Sequence, residues 1–213
     1  MPAKKNTTTG TRGRPVDADG QQTRRRILAA ARDCFSHHGY ANATNRMIAS
    51  EAGITASALY NYFPAKVDIY CAVLEEAEHY VAAIYENTIR DIDSPLQAIC
   101  ALLDLNIRMY GKYSGLTFFF GHMRSEISRN PELAAVVESR ESPTEKILRR
   151  LIHAARQQGE LSRAIPEKNI EMMLFACMLG LSTYGLRVDN RDQSRNMQAF
   201  RMLLDGSLTS QKP

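Results

Sequence analysis

The chain has 213 residues, 44% of them hydrophobic, which is enough for one large domain or two modest ones with a true core. Its net charge of +4 is unevenly distributed, because residues 1–66 hold ten Lys and Arg against four Asp and Glu. A basic first third beside a slightly acidic remainder is typical of a module that binds a polyanion. No apolar stretch reaches membrane-spanning length and the four cysteines form no CxxC pair, so we expect a cytoplasmic, nucleoid-associated protein with reduced thiols.

The first predicted element is a flexible basic arm at residues 1–18, because its Thr, Gly, Pro and basic residues cannot bury apolar surface. Asp19 and Gln22 have the spacing of a capping box, so a first helix is expected to begin there. Gly39 is placed to end that helix as a C-terminal cap. The arm is therefore expected to lead directly into a helix.

Two short helices are predicted next, and a glycine turn joins them. Thr44 can cap the first and Thr55 the second, while Gly53 allows the tight turn and Pro64 stops the second helix. Two short helices joined in this way are typical of a helix-turn-helix. We therefore predict a helix-turn-helix DNA-binding domain at residues 19–65.

The remaining chain shows helical spacing of its apolar residues and no segment of strand alternation. Ser142-Pro143 predicts either a kink or a restart inside one of its helices. The predicted fold is therefore all-α, with about nine helices. After the first three, we predict helices at about 66–89, 94–111, 116–128, 131–159, 166–186 and 192–208.

The helix-turn-helix region carries a specific run of residues. The segments 48–54 (IASEAGI) and 59–66 (LYNYFPAK) resemble the N-terminal signature of the TetR family of repressors, and residues 27–31 match the first helix of that family. The resemblance is close over residues 22–70, and beyond them only the number, length and order of the helices agree. It implies an effector-binding and dimerisation domain at residues 66–213, after the DNA-binding domain.

The resemblance also implies a set of DNA contacts around the two short helices. Hydroxyls, a lysine and free helix N-termini suit phosphate oxygens, although Thr44 and Thr55 could serve only as caps and one tyrosine only as core. Ala56, Ser57 and Ala58 are all small, so we expect their side chains to make few direct contacts with base edges. The predicted DNA-binding residues of this set are Thr44, Asn45, Arg46, Thr55, Ala56, Ser57, Tyr60, Asn61, Tyr62 and Lys66.

Two arginines extend the predicted DNA contacts into the arm. The run Arg12-Gly13-Arg14-Pro15 resembles the core of an AT-hook, in which arginines lie in a narrow A·T minor groove. The alternative is a merely flexible basic tail. We predict that Arg12 and Arg14 bind DNA and that the arm supplies a large share of the affinity.

The resemblance further implies an effector pocket among the middle helices. Its candidate lining is mainly apolar with few polar groups, which suits a small lipophilic or aromatic effector. The alternative is that the aromatic residues belong to the ordinary core and the charged residues to the ordinary surface. His122 and Glu126 have the i, i+4 spacing of two metal ligands, but no third ligand is nearby in sequence, so no metal and no cofactor are expected. The predicted ligand-binding residues are Leu103, Ile107, Arg108, Tyr110, Phe118, Phe119, His122, Met123, Leu174 and Met178.

Together these expectations describe a ligand-responsive transcriptional repressor. It would bind a palindromic operator as a homodimer through its last two helices and be released by its effector. The alternatives are an activator, an effector-independent DNA-binding protein and a small all-α enzyme. No nucleophile–base pair, glycine-rich phosphate loop or metal set supports the enzyme, so no catalytic residue is expected. The sequence leaves open the effector, the operator sequence and the target genes.

Overall fold

The computed structural model describes residues 16–112, 114–137 and 139–185, together with residues 195, 198, 199 and 202. Within these residues the fold is all-α, as predicted, with nine helices and no strand. The helices are α1 (Val16–Asn42), α2 (Asn45–Glu51), α3 (Ala56–Tyr60), α4 (Lys66–Ile89), α5 (Pro95–Lys112), α6 (Ser114–Arg129), α7 (Pro131–Val137), α8 (Pro143–Gln157) and α9 (Glu167–Gly185).

Most predicted helices are present; one differs in where it begins, and another is divided into two. Helix α1 begins at Val16 rather than at Asp19, so three residues that we assigned to the arm are helical. The predicted helix at 131–159 is two helices, because the chain leaves helical geometry and restarts at Pro143. The last predicted helix, at about 192–208, lies mostly outside the described residues, as do Arg12 and Arg14 of the arm.

Gly39 breaks helix α1 before its last turn. Its φ of +72° and ψ of 167° belong to a region that residues with a Cβ rarely adopt, and a Cβ there would stand 2.6 Å from Oε1 of Glu126. Tyr40, the next residue, is therefore turned into the protein, where it is 2% exposed. The predicted helix end at Gly39 is thus the point where the chain redirects a buried tyrosine.

The first hydrophobic cluster holds the N-terminal helices together. It contains the buried residues of α1, α2 and α3 and continues along α4 as far as Ala77. It also takes in Phe119 from α6 and Leu133 from α7, both almost fully buried. The N-terminal unit, which we call the head (residues 16–65), therefore shares its core with α4, α6 and α7.

The second hydrophobic cluster lies at the other end of α4. It joins the half of α4 that starts at Val81 to buried residues of α5, α8 and α9, among them Leu102, Leu148 and Leu174. Because α4 contributes to both clusters, it is a continuous strut between the head and the C-terminal helices. At 1.5 Å per residue its 24 residues span roughly 36 Å.

Candidate nucleic-acid interface

Helix α2 presents a polar N-terminus at the surface of the head. Oγ1 of Thr44 accepts a hydrogen bond from the backbone N–H of Met47 at 3.2 Å, which caps the helix. Ile48 and Ala49 anchor the opposite face in the core, so Thr44 and Arg46 are exposed. Asn45 is half-buried, and its Oδ1 has no hydrogen-bond partner among the described residues.

Helix α3 has the same construction. Oγ1 of Thr55 accepts a hydrogen bond from the N–H of Ala58 at 3.1 Å, and Leu59 is fully buried beneath the helix. Gly53, with φ of +66°, makes the turn from α2. The exposed face then carries Ser57, Tyr60 and Asn61, whereas Ala56 and Tyr62 are half-buried. This geometry is that of a helix-turn-helix with its polar face open.

Both threonines are therefore helix caps, which was the alternative to a DNA contact. The two roles are compatible, because a hydroxyl that accepts a backbone hydrogen bond still has its own proton to donate. Each threonine is exposed, so that proton can reach a phosphate oxygen of a docked duplex. Capping also fixes the position of the hydroxyl before DNA arrives.

Lys66 has a different environment from the one that the resemblance implies. Its Nζ donates to the backbone carbonyls of Tyr40 at 2.7 Å and Ala43 at 3.1 Å, lies 3.4 Å from that of Ala41, and stands 4.3 Å from the centre of the Tyr40 ring. An ammonium has three donors, and these carbonyls account for them. Burial lowers the pKa of Lys66, while the carboxylates of Glu132 and Glu126 act in the opposite direction. Lys66 therefore ties α4 to the end of α1 rather than pointing outward.

Tyr40 is the point where the head meets the C-terminal helices. Its Oη donates to Oε1 of Glu132, the second residue of α7, at 2.5 Å. Its ring packs against Phe35 and, edge-on at 5.4 Å, against Tyr70 of α4. Burial and the Glu132 carboxylate both raise the pKa of Tyr40, so its hydroxyl stays protonated and able to donate. Sequence spacing gave no signal of this contact, since 92 residues separate the two partners.

Arg24 is a residue near the interface that the sequence analysis missed. Its guanidinium carbon lies 5.4 Å from the centre of the ring of Phe63, which is three residues beyond the end of α3. The available signal was its position three residues before Ile27, the first buried residue of α1, which puts both on one helical face. An arginine that continues an apolar stripe is thus placed to cover the end of α3.

The residues predicted to line one effector pocket are divided between the two clusters. Leu103, Leu174 and Met178 belong to the second cluster, whereas Phe119 and Met123 pack in the first. The structure thus divides them between two clusters, which meet at Phe120 of α6. Two more, Arg108 and His122, are exposed. The side chains of Ile107, Tyr110 and Phe118 lie outside the described part.

A cavity of about 460 Å³ lies between α4, α6, α7 and the start of α8. Met123 is the one predicted pocket residue among its lining residues. Its polar wall holds Glu78, 8% exposed, with Oε2 at 3.4 Å from Nη2 of Arg140. Burial raises the pKa of Glu78 and Arg140 opposes this effect. The lining residues are Glu78, Met123, Ile127, Ser128, Val137, Arg140, Ser142 and Glu145.

In the described ranges no three His, Cys, Asp or Glu side chains are grouped as a metal ion would require. No described helix is both long enough and apolar enough to cross a membrane.

The polar helix-turn-helix face and the all-α body define the class of a DNA-binding regulator. The family model described as "Bacterial regulatory proteins, tetR family" matches residues 27–73. The HTH-type transcriptional regulator UidR of Escherichia coli K12 is 26% identical over 200 residues, which cover 92% of this chain and 97% of UidR. The resemblance seen in the sequence is therefore confirmed for residues 27–73, and over most of its length the chain is similar to a transcriptional regulator.

Solved structures have the same fold. The fatty acid degradation regulator FadR from Bacillus halodurans superposes with a TM-score of 0.72 at 17% identity, over 85% of this chain and 94% of that one. The regulator FadR from Bacillus subtilis, solved in complex with stearoyl-CoA, gives a TM-score of 0.67 at 15% identity, over 88% of this chain and 99% of that one. At these identities the likeness concerns the fold alone.

Proposed function

We propose that this regulator is a repressor that binds a palindromic operator as a homodimer and leaves it when a small apolar or aromatic effector binds. The observation that carries the proposal is the exposed polar face of α2 and α3, held on a fully buried core. DNA binding rather than catalysis is the proposed activity, and the proposed location is the cytoplasm, at the nucleoid.

The proposed DNA contacts fall into two groups. Phosphate contacts are assigned to exposed hydroxyl and basic groups, namely Thr44, Arg46, Thr55 and Tyr60, with Asn45 and Tyr62 beside them. Base contacts are assigned to Ala56, Ser57 and Asn61, which lie on α3 and directly after it. Lys66 is left out, because its donors are directed to backbone carbonyls of the head.

The arm is proposed to add minor-groove contacts through Arg12 and Arg14. The support is indirect: the first residues of α3 are small, so they offer apolar contact with thymine methyl groups but no bidentate pair with a base. Arginines in a narrow A·T minor groove would supply the missing discrimination. The proposed organisation is thus an arm at residues 1–18, a DNA-binding domain at 19–65 and an effector and dimerisation domain at 66–213.

The dimer is proposed to form through α9 and the segment 192–208. Helix α9 exposes Met172 and Met173, which are 62% and 47% exposed in the single chain. Exposed Ala176 and Gly180 follow one and two turns later and leave room for a close neighbour. Two copies packed there would form a four-helix bundle about a two-fold axis.

The effector is proposed to bind among the C-terminal helices. The cavity of about 460 Å³ has the size of a small-molecule pocket, and Met123, Ile127 and Val137 give it an apolar wall. Helix α4 lines it through Glu78 and begins beside the head, so a ligand that favours another position of α4 would change the spacing of two heads. The effector must prefer the released state, since equal affinity for both states shifts nothing.

The proposed function is tested by selection of binding sites. The full chain is incubated with a random pool of duplex DNA, the bound fraction is amplified and sequenced, and the mass of the complex on the recovered site is measured. We expect an inverted repeat with half-sites about 10 base pairs apart, or a multiple of that, and an even number of chains per site. Recovery of sequences without dyad symmetry, or a single bound chain, would contradict the proposal.

A further inference from the structure

Helix α1 begins well before the core of the head. Among residues 19–26 no side chain is buried, whereas Ile27 and Leu28 are. The eight helical residues 19–26 therefore extend roughly 12 Å from the packed part of the head. Because this extension gains little from packing, its surface is available to a partner.

The extension carries three consecutive arginines that point in different directions. Arg24, Arg25 and Arg26 are all exposed, and successive residues are turned by about 100° around a helix. Arg24 precedes Ile27 and Leu28 by three and four residues, and its guanidinium is the one placed over Phe63. The three side chains thus carry equal charge at three different positions.

The contact with Phe63 prepares the guanidinium for an anion. The five N–H donors lie around the edge of the planar guanidinium, so a contact with the ring can leave donors directed to a further partner. Among the described residues no carboxylate pairs with Arg24, whereas Arg32 on the same helix lies 3.7 Å from Asp33. The N–H fork of a guanidinium matches the oxygens of a phosphate. Because the side chain is already placed against Phe63, it loses less conformational entropy when a phosphate binds.

The position of Arg24 relative to α3 identifies the anion. Phe63 follows the exposed Tyr60 by three residues and adjoins Tyr62, and we assigned both tyrosines to the phosphate contacts. We propose that Arg24 is a further phosphate anchor of this regulator, and that the α1 extension lies along the backbone of the bound duplex next to the end of α3. This inference rests on the proposed function, because it requires that the α2–α3 face docks on DNA.

The test compares the three neighbouring arginines in the full chain. Arg24→Gln, Arg25→Gln and Arg26→Gln remove the same charge within one turn, and binding to a fluorescent mixed-sequence 30-base-pair duplex is measured by anisotropy from 50 to 200 mM KCl. Losing one phosphate contact flattens the plot of log K against log salt by about 0.9 per bound head. We expect this change for Arg24→Gln and less than half of it for the other two. Equal changes in all three variants, or no change for Arg24→Gln, would overturn the inference.

Two further variants separate the possible failures. Arg24→Lys keeps the charge but loses the planar group, so we expect it to keep most of the salt slope and to bind more weakly than the wild type at every salt concentration; equal affinity would count against the stacking role. If Tyr60→Phe weakens binding and Arg24→Gln does not, this inference fails alone. If the wild-type chain binds the duplex with no salt dependence, the proposed function fails with it. Thermal unfolding of each variant checks that the fold is intact.

Discussion

The head and the C-terminal helices are built from similar amphipathic helices, yet they differ in how strictly each side chain is placed. In the head, two threonine caps, a glycine turn and a fully buried leucine fix seven- and five-residue helices. Outside the head, α4, α6, α7 and the start of α8 line a cavity of about 460 Å³, whose apolar residues Met123, Ile127 and Val137 pack against the first cluster. The head thus presents its polar face on short, capped helices, whereas open volume remains among α4, α6, α7 and α8.

The largest expected effect separates the two cores directly. Leu59→Ala in the head and Leu102→Ala in the second cluster each remove a buried side chain, so each should lower the free energy of unfolding by about 3 kcal/mol. Only Leu59→Ala is expected to abolish DNA binding at a temperature where both variants remain folded, because the buried side chain of Leu59 anchors α3 in the core. Urea unfolding and DNA anisotropy measure the two effects. Equal loss of DNA affinity would show that the regions are not separable.

A glycine at the joint gives the next largest effect. Gly39→Ala adds a Cβ at a positive φ and within 2.6 Å of Oε1 of Glu126, so we expect a loss of about 2 kcal/mol in stability. Gly20→Ala is the matched control, because no atom lies within 4 Å of its added Cβ and helical alanine is favoured over glycine by about 1 kcal/mol. Opposite signs for the two variants in urea unfolding are the expected result; a stable Gly39→Ala protein would contradict the backbone geometry.

The hydrogen bond between head and α7 is expected to contribute less. Tyr40→Phe keeps the packed ring but removes the donor to Glu132, which should cost about 1–2 kcal/mol, since the carboxylate is exposed and can be solvated. Tyr60→Phe, on an exposed ring, should leave the free energy of unfolding unchanged within error. The same cost for both variants would mean that the 2.5 Å contact does not hold the two regions together.

The smallest effect concerns pH and the wall of the cavity. The pKa of Glu78 is raised above its ordinary value of 4.5 by burial, so its contribution to stability is present below pH 4.5 and is lost as the pH rises through the folded-state pKa. Glutamine does not titrate, so the Glu78→Gln variant does not lose this contribution. The free energy of unfolding of the variant minus that of the wild type should therefore increase from pH 4 to pH 7. Thermal unfolding across that range measures it, with Glu76→Gln as an exposed control on α4. A difference that falls with rising pH would have the wrong sign.

Local signals predicted much of the fold. The N-terminal hydroxyl caps of α2 and α3 form the expected bonds. At residue 94, where the fifth helix was predicted to begin, Oγ of Ser94 accepts from the N–H of Gln97 at 3.1 Å. The signal at Ser142 marks the correct restart, but its hydroxyl contacts Thr144 rather than capping the helix. Such signals act over three or four residues, which is why they place helix ends well.

Contacts between distant residues could not be predicted in this way. The carbonyls that receive Lys66 are 23 to 26 residues away, and Phe63 is far in sequence from Arg24. Phe119 was predicted to line the effector pocket, and helical spacing alone does not show that it packs in the first cluster with the head. The helical pattern therefore predicts the helices but not which of their side chains line the same cavity.

The central claim, that the open face of α2 and α3 binds DNA, is tested most directly by a matched pair of double variants. Arg46→Gln/Tyr60→Phe alters two exposed side chains of the face, and Tyr80→Phe/Arg163→Gln makes the same chemical changes at exposed positions of α4 and the turn before α9. Affinity for the selected operator is measured by anisotropy at one salt concentration. The account predicts that the first pair loses about tenfold or more, as expected for two hydrogen bonds to phosphate, and that the second stays within about twofold. Equal affinities for the two double variants would contradict it.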